Sequence, residues 1–353
     1  MPHKDDNVEF IPSRYPPFPD GLKTTHLETI SLAKIQIGDG AEQDRMFEAC
    51  KTWGFFYLHL LDSDQGRMLY EGSENIARAS EHVFALPLEE KAKYPPHKND
   101  TFGYKAIGES RVDKNKKADT VEFFNISKDD MTVPDSEMKR EWPKEVLDNK
   151  PLLATYIRTA HSVGLQILDV LGTKLGIDDL EEIHQRHKIG ETSADVVRMT
   201  RGLPRARQLE TDDDDKAEII TTGAHTDFGT VTILRNWLGG LQLYAVPNRI
   251  AGNLDFGDES GEWMFVEPQQ DCAIVNLGDA AVRMSNGVLC SGRHRVITAP
   301  GEQGKLPRYS VVYFVRPNNE CRVKALRGSG VPNMADDEND EDCIRGSRDN
   351  DKN

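Results

Sequence analysis

The chain has 353 residues, 44 Lys+Arg against 59 Asp+Glu for a net charge of −15, and 37% hydrophobic residues. This length admits one large core or two ordinary domains. The acidic balance argues against a nucleic-acid binder or a polybasic membrane-surface protein, since both need a basic face. Five cysteines, odd in number and never in C-x-x-C spacing, argue against a disulfide framework or a structural zinc site and for a reducing compartment. The N-terminus has no apolar signal core and the chain no apolar run of about 18 residues, so a cytoplasmic protein is expected. No motif implies a partner protein.

Residues 1–26 form a polar lead-in with Pro12, Pro16, Pro17 and Pro19 and are expected to be extended. From Glu42 to Trp53, Met46, Phe47, Ala49, Cys50 and Trp53 recur at helical spacing, and Gly54 ends the pattern. Phe55 to Leu58 reads as a short strand. Asp64 to Phe84 reads as an amphipathic helix stopped by Pro87. The stretch from Val112 to Lys150 is charged and loop-like, with Val121 to Phe124 as a brief strand. Leu152 to Leu175 is the longest predicted helix, with Leu153, Ile157, Ala160, Gly164, Ile167, Leu168 and Leu171 on one face.

Beyond it the pattern shifts to seven short strands: Asp195–Thr200, Thr230–Leu234, Leu241–Tyr244, Trp263–Val266, Cys272–Leu277, His294–Thr298 and Tyr309–Val315. Short strands separated by Gly, Asn and Pro predict a sandwich or jelly roll. The expected class is α+β, mainly β in its core. A helical region over 27–190 packs on a β core over 191–320, and a polar acidic tail over 326–353 is expected to be disordered. Six acids in Glu210–Glu218 and six in Asp336–Asp342 carry most of the net charge, leaving −4 for the rest.

Ten histidines limit the search for a metal site. In the extended segment His225-Thr226-Asp227, positions i and i+2 share a face, so imidazole and carboxylate could bind one ion. The pair alone is weak, because chance supplies about two among ten histidines, and His3/Asp5 and His26/Glu28 have the same spacing. His294 heads a predicted strand downstream. Two imidazoles and a carboxylate suit iron(II) with positions left open, while zinc is the rival ion; no H-E-x-x-H occurs. Arg308 and Ser310 share a strand face, where a guanidinium fork and a hydroxyl could hold a carboxylate.

These segments, with Phe47–Phe56, Phe84–Lys93, Gly103-Tyr104, Gly240–Leu243, Val275–Asp279 and Ser285–Gly287 in the same order, resemble the iron(II)- and 2-oxoglutarate-dependent oxygenases. That family includes isopenicillin N synthase, plant flavonoid and gibberellin oxygenases, and aminocyclopropane-carboxylate oxidase. The resemblance runs from about residue 27 to 318. It implies a double-stranded β-helix core with flanking N-terminal helices, Fe(II) held by His225, Asp227 and His294, and the distal carboxylate of 2-oxoglutarate held by Arg308 and Ser310. The implied reaction couples oxidative decarboxylation of 2-oxoglutarate to hydrogen abstraction by a ferryl species, then hydroxylation, desaturation or ring formation on a small organic molecule.

One departure stands out: an ungapped match puts Gly202 where related enzymes carry a tyrosine on 2-oxoglutarate, implying a larger or differently completed cosubstrate pocket. Oxidases of this family that use no 2-oxoglutarate also carry the Arg-x-Ser pair, and a non-catalytic binding protein would lack a metal ligand. Candidate substrate contacts are Phe102, Tyr104, Phe124, Arg198, Thr200, Phe228, Phe314 and Arg316. Among them Arg198 is the sharpest, because an inward arginine needs an anionic or polar partner.

Overall fold

The computed structural model describes residues 10–98, 100–112, 117–209, 218–246, 260–333 and 344–345. The elements run β1 (Thr29–Ser31), α1 (Leu32–Gln36), α2 (Gly40–Thr52), β2 (Phe55–His59), α3 (Asp64–Ala85), α4 (Leu88–Lys91), β3 (Gly103–Lys105), β4 (Val121–Ser127), α5 (Lys128–Thr132), α6 (Lys144–Leu147), α7 (Lys150–Lys174) and α8 (Glu181–Arg186). The second half holds β5 (Val196–Gly202), α9 (Arg205–Leu209), β6 (Ile220–His225), β7 (Val231–Asn236), β8 (Leu241–Ala245), β9 (Glu262–Phe265), β10 (Cys272–Leu277), α10 (Asp279–Met284), β11 (His294–Ile297), β12 (Arg308–Val315), β13 (Arg322–Val323) and β14 (Ile344–Arg345).

The helices start and stop where local chemistry dictates. Asp39 and Ser63 cap α2 and α3 by accepting from the amides of Glu42 and Gly66. Pro151 occupies the first turn of α7, where no amide hydrogen is needed. The buried face of α7 includes Leu153, Ile157, Ala160, Ile167 and Leu171. At Gly164 the helix comes so close to β12 that a Cβ would stand 2.7 Å from Val315 Cγ2, so an alanine there would push helix and sheet apart.

Two sheets form the jelly roll. The larger has the order β1-β2-β10-β7-β12-β5-β4-β3 and the smaller β6-β11-β8-β9. Neighbours are antiparallel except the β1–β2 pair. Period-2 alternation divides β12 cleanly. Tyr309, Val311, Tyr313 and Val315 join the large core under the helices, whereas Arg308, Ser310, Val312 and Phe314 face the space between the sheets. The helices therefore cover the outer face and leave the inner one for a site.

Three expectations need correction. β6 falls in a stretch without a predicted strand, because Ile220-Thr-Thr-Gly-Ala-His225 has no apolar alternation. The described part of the lead-in, residues 10–26, contains one 3-10 turn, Pro12–Arg14, and is anchored. Phe10 is buried edge-on against Trp237 and Tyr309, and Pro16 O accepts from Gln303 Nε2 at 2.9 Å. The tail does not begin at 326: Leu326 and Val331 are buried, and the Ser329 and Gly330 amides donate to Gly176 and Leu175. Both long acidic runs fall outside the described residues except Glu218. No helix among the described residues is long and apolar enough to cross a membrane.

Candidate active site

His225 ends β6 and His294 opens β11, and these two residues are direct cross-strand partners. Asp227 sits in the turn just after β6. One donor atom from each of the three lies within 4.8 Å of the other two, the one such group found among the described residues. Both rings are fixed in the same way: Nδ1–H donates to the carbonyl two residues back, His225 to Gly223 at 2.8 Å and His294 to Gly292 at 3.0 Å. That assigns the tautomer and leaves each Nε2 lone pair facing Asp227 Oδ1, at 3.7 and 3.8 Å.

The carboxylate is braced from behind. Thr232 Oγ1 and Asn276 Nδ2 both donate to Asp227 Oδ2 at 2.7 Å, so Oδ2 is occupied and Oδ1 is left for the site. The turn carrying Asp227 closes on Gly278, where a Cβ would stand 2.6 Å from Asp227 O. Burial alone would raise the Asp227 carboxyl, but His294, His225 and the two hydrogen bonds outweigh it and hold it at about 2. Burial, reinforced by His294, pushes the His225 imidazole down to about 4. Near neutral pH the cluster thus offers a neutral His225 and an ionised carboxylate, the protonation states a divalent transition metal requires.

Two adjoining cavities share His225, Asp227, Arg198 and Phe314. Arg308 and Ser310 line the inner one. Arg308 is buried, its Nε donating to Gly239 O at 2.8 Å, and burial lowers its guanidinium to about 10. Gly202 lies opposite Arg308 in the β5–β12 register, and a Cβ there would make only ordinary contacts at 3.6 and 3.7 Å. Leu203, Gln208 and Thr298 line the same cavity, with Thr298 Oγ1 donating to Gln208 Oε1.

The substrate candidates divide between cavity and core. Thr200 lines the inner cavity, Phe102, Phe228 and Arg316 the outer, and Arg198 and Phe314 both. Tyr104 and Phe124 line neither. They face each other across β3 and β4, buried on the helix side, where Tyr104 donates to Glu122. The pleat explains this correction: Phe123, not Phe124, pairs with Thr200 and Asn125 pairs with Arg198, so the odd positions of β4 share the Arg198 face. Asn125, Thr232, Asn276, Gln208 and Thr298 are site neighbours that motif reading did not single out.

Two sheets enclosing two imidazoles, a carboxylate and a buried arginine match the oxygenase jelly roll that the sequence resemblance implies. Residues 27–145 match the non-haem dioxygenase in morphine synthesis N-terminal model, and residues 204–317 match the 2OG-Fe(II) oxygenase superfamily model. A 2-oxoglutarate-dependent dioxygenase of Aspergillus fumigatus is 32% identical over 337 residues, covering 91% of this chain and 83% of the relative. The 2-oxoglutarate-dependent dioxygenase frbH of Dothideomycetidae sp. is 29% identical over 335 residues, covering 93% and 94%. A full-length Neurospora crassa protein, solved with alpha-KG and 5-formyluracil, shares the fold at a TM-score of 0.69 and 21% identity, over 93% of this chain and 94% of that one. The chain belongs to the 2OG-Fe(II) oxygenase superfamily: an Fe(II)- and 2-oxoglutarate-dependent dioxygenase that acts with molecular oxygen on a small molecule.

Proposed function

We propose that His225, Asp227 and His294 hold the Fe(II), that Arg308 and Ser310 hold the distal carboxylate of 2-oxoglutarate, and that the enzyme oxidises a C–H bond of a small organic molecule in secondary metabolism. The observation that carries the site assignment is the convergence of two oriented Nε2 atoms and Asp227 Oδ1 in the cavity that Arg308 and Ser310 line. When bound together, iron, 2-oxoglutarate and oxygen supply the oxidising equivalent, with 2-oxoglutarate leaving as succinate and carbon dioxide. The chain contributes position and environment. Asn276 and Thr232 orient the carboxylate; the Gly223 and Gly292 carbonyls orient the imidazoles; Arg308 offers a preformed fork; and Phe102, Phe228 and Phe314 exclude water beside the reacting bond. Fungal relatives among the dioxygenases support the metabolic setting. The free cysteines Cys50, Cys272, Cys290 and Cys321 support action in the cytoplasm.

Anaerobic addition of Fe(II) and 2-oxoglutarate tests the assignment by visible absorption. A charge-transfer band is expected with the unmodified protein and is lost in His225→Ala. No band at saturating concentrations would overturn it.

A further inference from the structure

Arg198 is held in place, yet among the described residues no carboxylate forms an ion pair with it. Its Nε donates to Asn125 Oδ1 at 2.8 Å. Its guanidinium lies 4.3 Å from the Phe123 ring centroid and 5.0 Å from that of Phe314, so stacking and one hydrogen bond fix the plane of the fork. Among the described residues no acceptor meets its two Nη groups. Among the described residues only two carboxylates line the cavities, Asp100 and Asp227; Asp100 pairs with Arg140, and Asp227 belongs to the proposed metal cluster. Arg316 lines the outer cavity as well and adds positive potential. A half-buried guanidinium aligned in a binding cavity, with no ion-pair partner among the described residues, is complementary to an anion.

In the β5–β12 register Gly202 pairs with Arg308, Thr200 with Ser310 and Arg198 with Val312. Arg198 therefore stands four residues, about 13 Å of strand, from the Arg308 end, and it borders the outer cavity. The two arginines thus enter the site at different positions along the paired strands, Arg308 at the inner cavity and Arg198 where the two cavities meet.

We propose that Arg198 anchors a carboxylate on the substrate to be oxidised, whose apolar body rests against Phe102, Phe228 and Phe314. This rests on the oxygenase reading of the site and narrows the substrate class to carboxylic acids with a flat or apolar skeleton. It makes Arg198 a determinant of specificity, selecting acids over their neutral analogues.

The test uses full-length protein loaded anaerobically with Fe(II) and 2-oxoglutarate, whose visible band reports an intact site. Benzoate, phenylacetate and 2-naphthoate are each titrated against the corresponding primary amide by ligand-observed NMR. At least one acid is expected to bind about tenfold or more tightly than its amide, the scale of a charge-assisted hydrogen-bond pair. The ratio falls to near one in Arg198→Gln and stays intermediate in Arg198→Lys, with the band retained in both. No acid outperforming its amide, or a preference that survives Arg198→Gln, overturns the proposal. Loss of the band in Arg198→Gln and Arg198→Lys alike also overturns it, by assigning Arg198 to the cosubstrate. A band missing from the unmodified protein overturns instead the oxygenase reading on which it rests.

Discussion

Asp227 does its work with one oxygen because the other is already taken. Asn276 and Thr232 are cross-strand partners on β10 and β7, and both donate to Oδ2. Replacing Asn276 by alanine leaves Oδ2 with one donor and frees the carboxylate to rotate. Fe(II) affinity is expected to fall about 10- to 100-fold, the usual effect of losing a group that orients a metal ligand; anaerobic Fe(II) titration measures it, with unchanged far-UV dichroism as the folding control. The residues of the proposed metal cluster were legible as candidates in the sequence because His225-x-Asp227 and a later histidine at a strand head form a chemical pattern. Asn276 was not, since its role arises from pairing with a strand some 40 residues earlier. Phe124 was misassigned for a related reason. Val121-Glu-Phe-Phe124 puts an aromatic on either face, and only the register with β5 decides which one meets the cavity.

Among the elements, α7 and α8 hold the outer side of the site through buried polar groups. His161 on α7 and Tyr313 on β12 both bond Asp195 Oδ2, at 3.2 and 2.9 Å. His187, just after α8, donates from Nδ1 to Ile183 O at 2.8 Å and accepts at Nε2 from Thr230 Oγ1 at 2.8 Å. Full burial pushes its imidazole down from 6.5 to about 4. Between those values the unfolded chain takes up a proton that the folded chain refuses, so stability is lost as pH falls from about 6.5 toward 4. One such group contributes up to about 3 kcal/mol to that loss. Urea unfolding at pH 7 and pH 5 should show a smaller acid-induced drop in His187→Gln than in the unmodified protein. An equal drop in both would show that His187 is not responsible. The three long helices and most strands were readable from periodicity, with Gly54 and Pro87 marking stops. β6 was not, since Thr222, Gly223 and Ala224 give no alternation, and only its pairing with β11 makes it a strand.

At the scale of the whole molecule, the site draws on β6 and β11 from one sheet and β7, β10 and β12 from the other, so its ligands tie the two sheets together. Fe(II) with 2-oxoglutarate at about a hundred times their dissociation constants should add about 2.7 kcal/mol and raise the melting temperature by about 4 °C for a chain of this size. Differential scanning fluorimetry under anaerobic conditions should show that shift in the unmodified protein and none in His225→Ala. The lead-in reaches the same region by another path, since Pro16 O accepts from Gln303, Gln303 Oε1 accepts from the Gly239 amide, and Gly239 O accepts from Arg308.

The strand order β1-β2-β10 also imposes a schedule on biosynthesis. β2 is buried along most of its length, yet its partner β10 emerges only after more than two hundred further residues. At about 5–20 residues per second that interval is roughly 10 to 40 seconds. For that time Phe55, Phe56, Tyr57 and Leu58 have no sheet to enter beyond the three residues of β1. The nascent chain must therefore keep an aromatic strand from self-association until its second half is made, and this is the period in which chaperone dependence and misfolding are expected to concentrate.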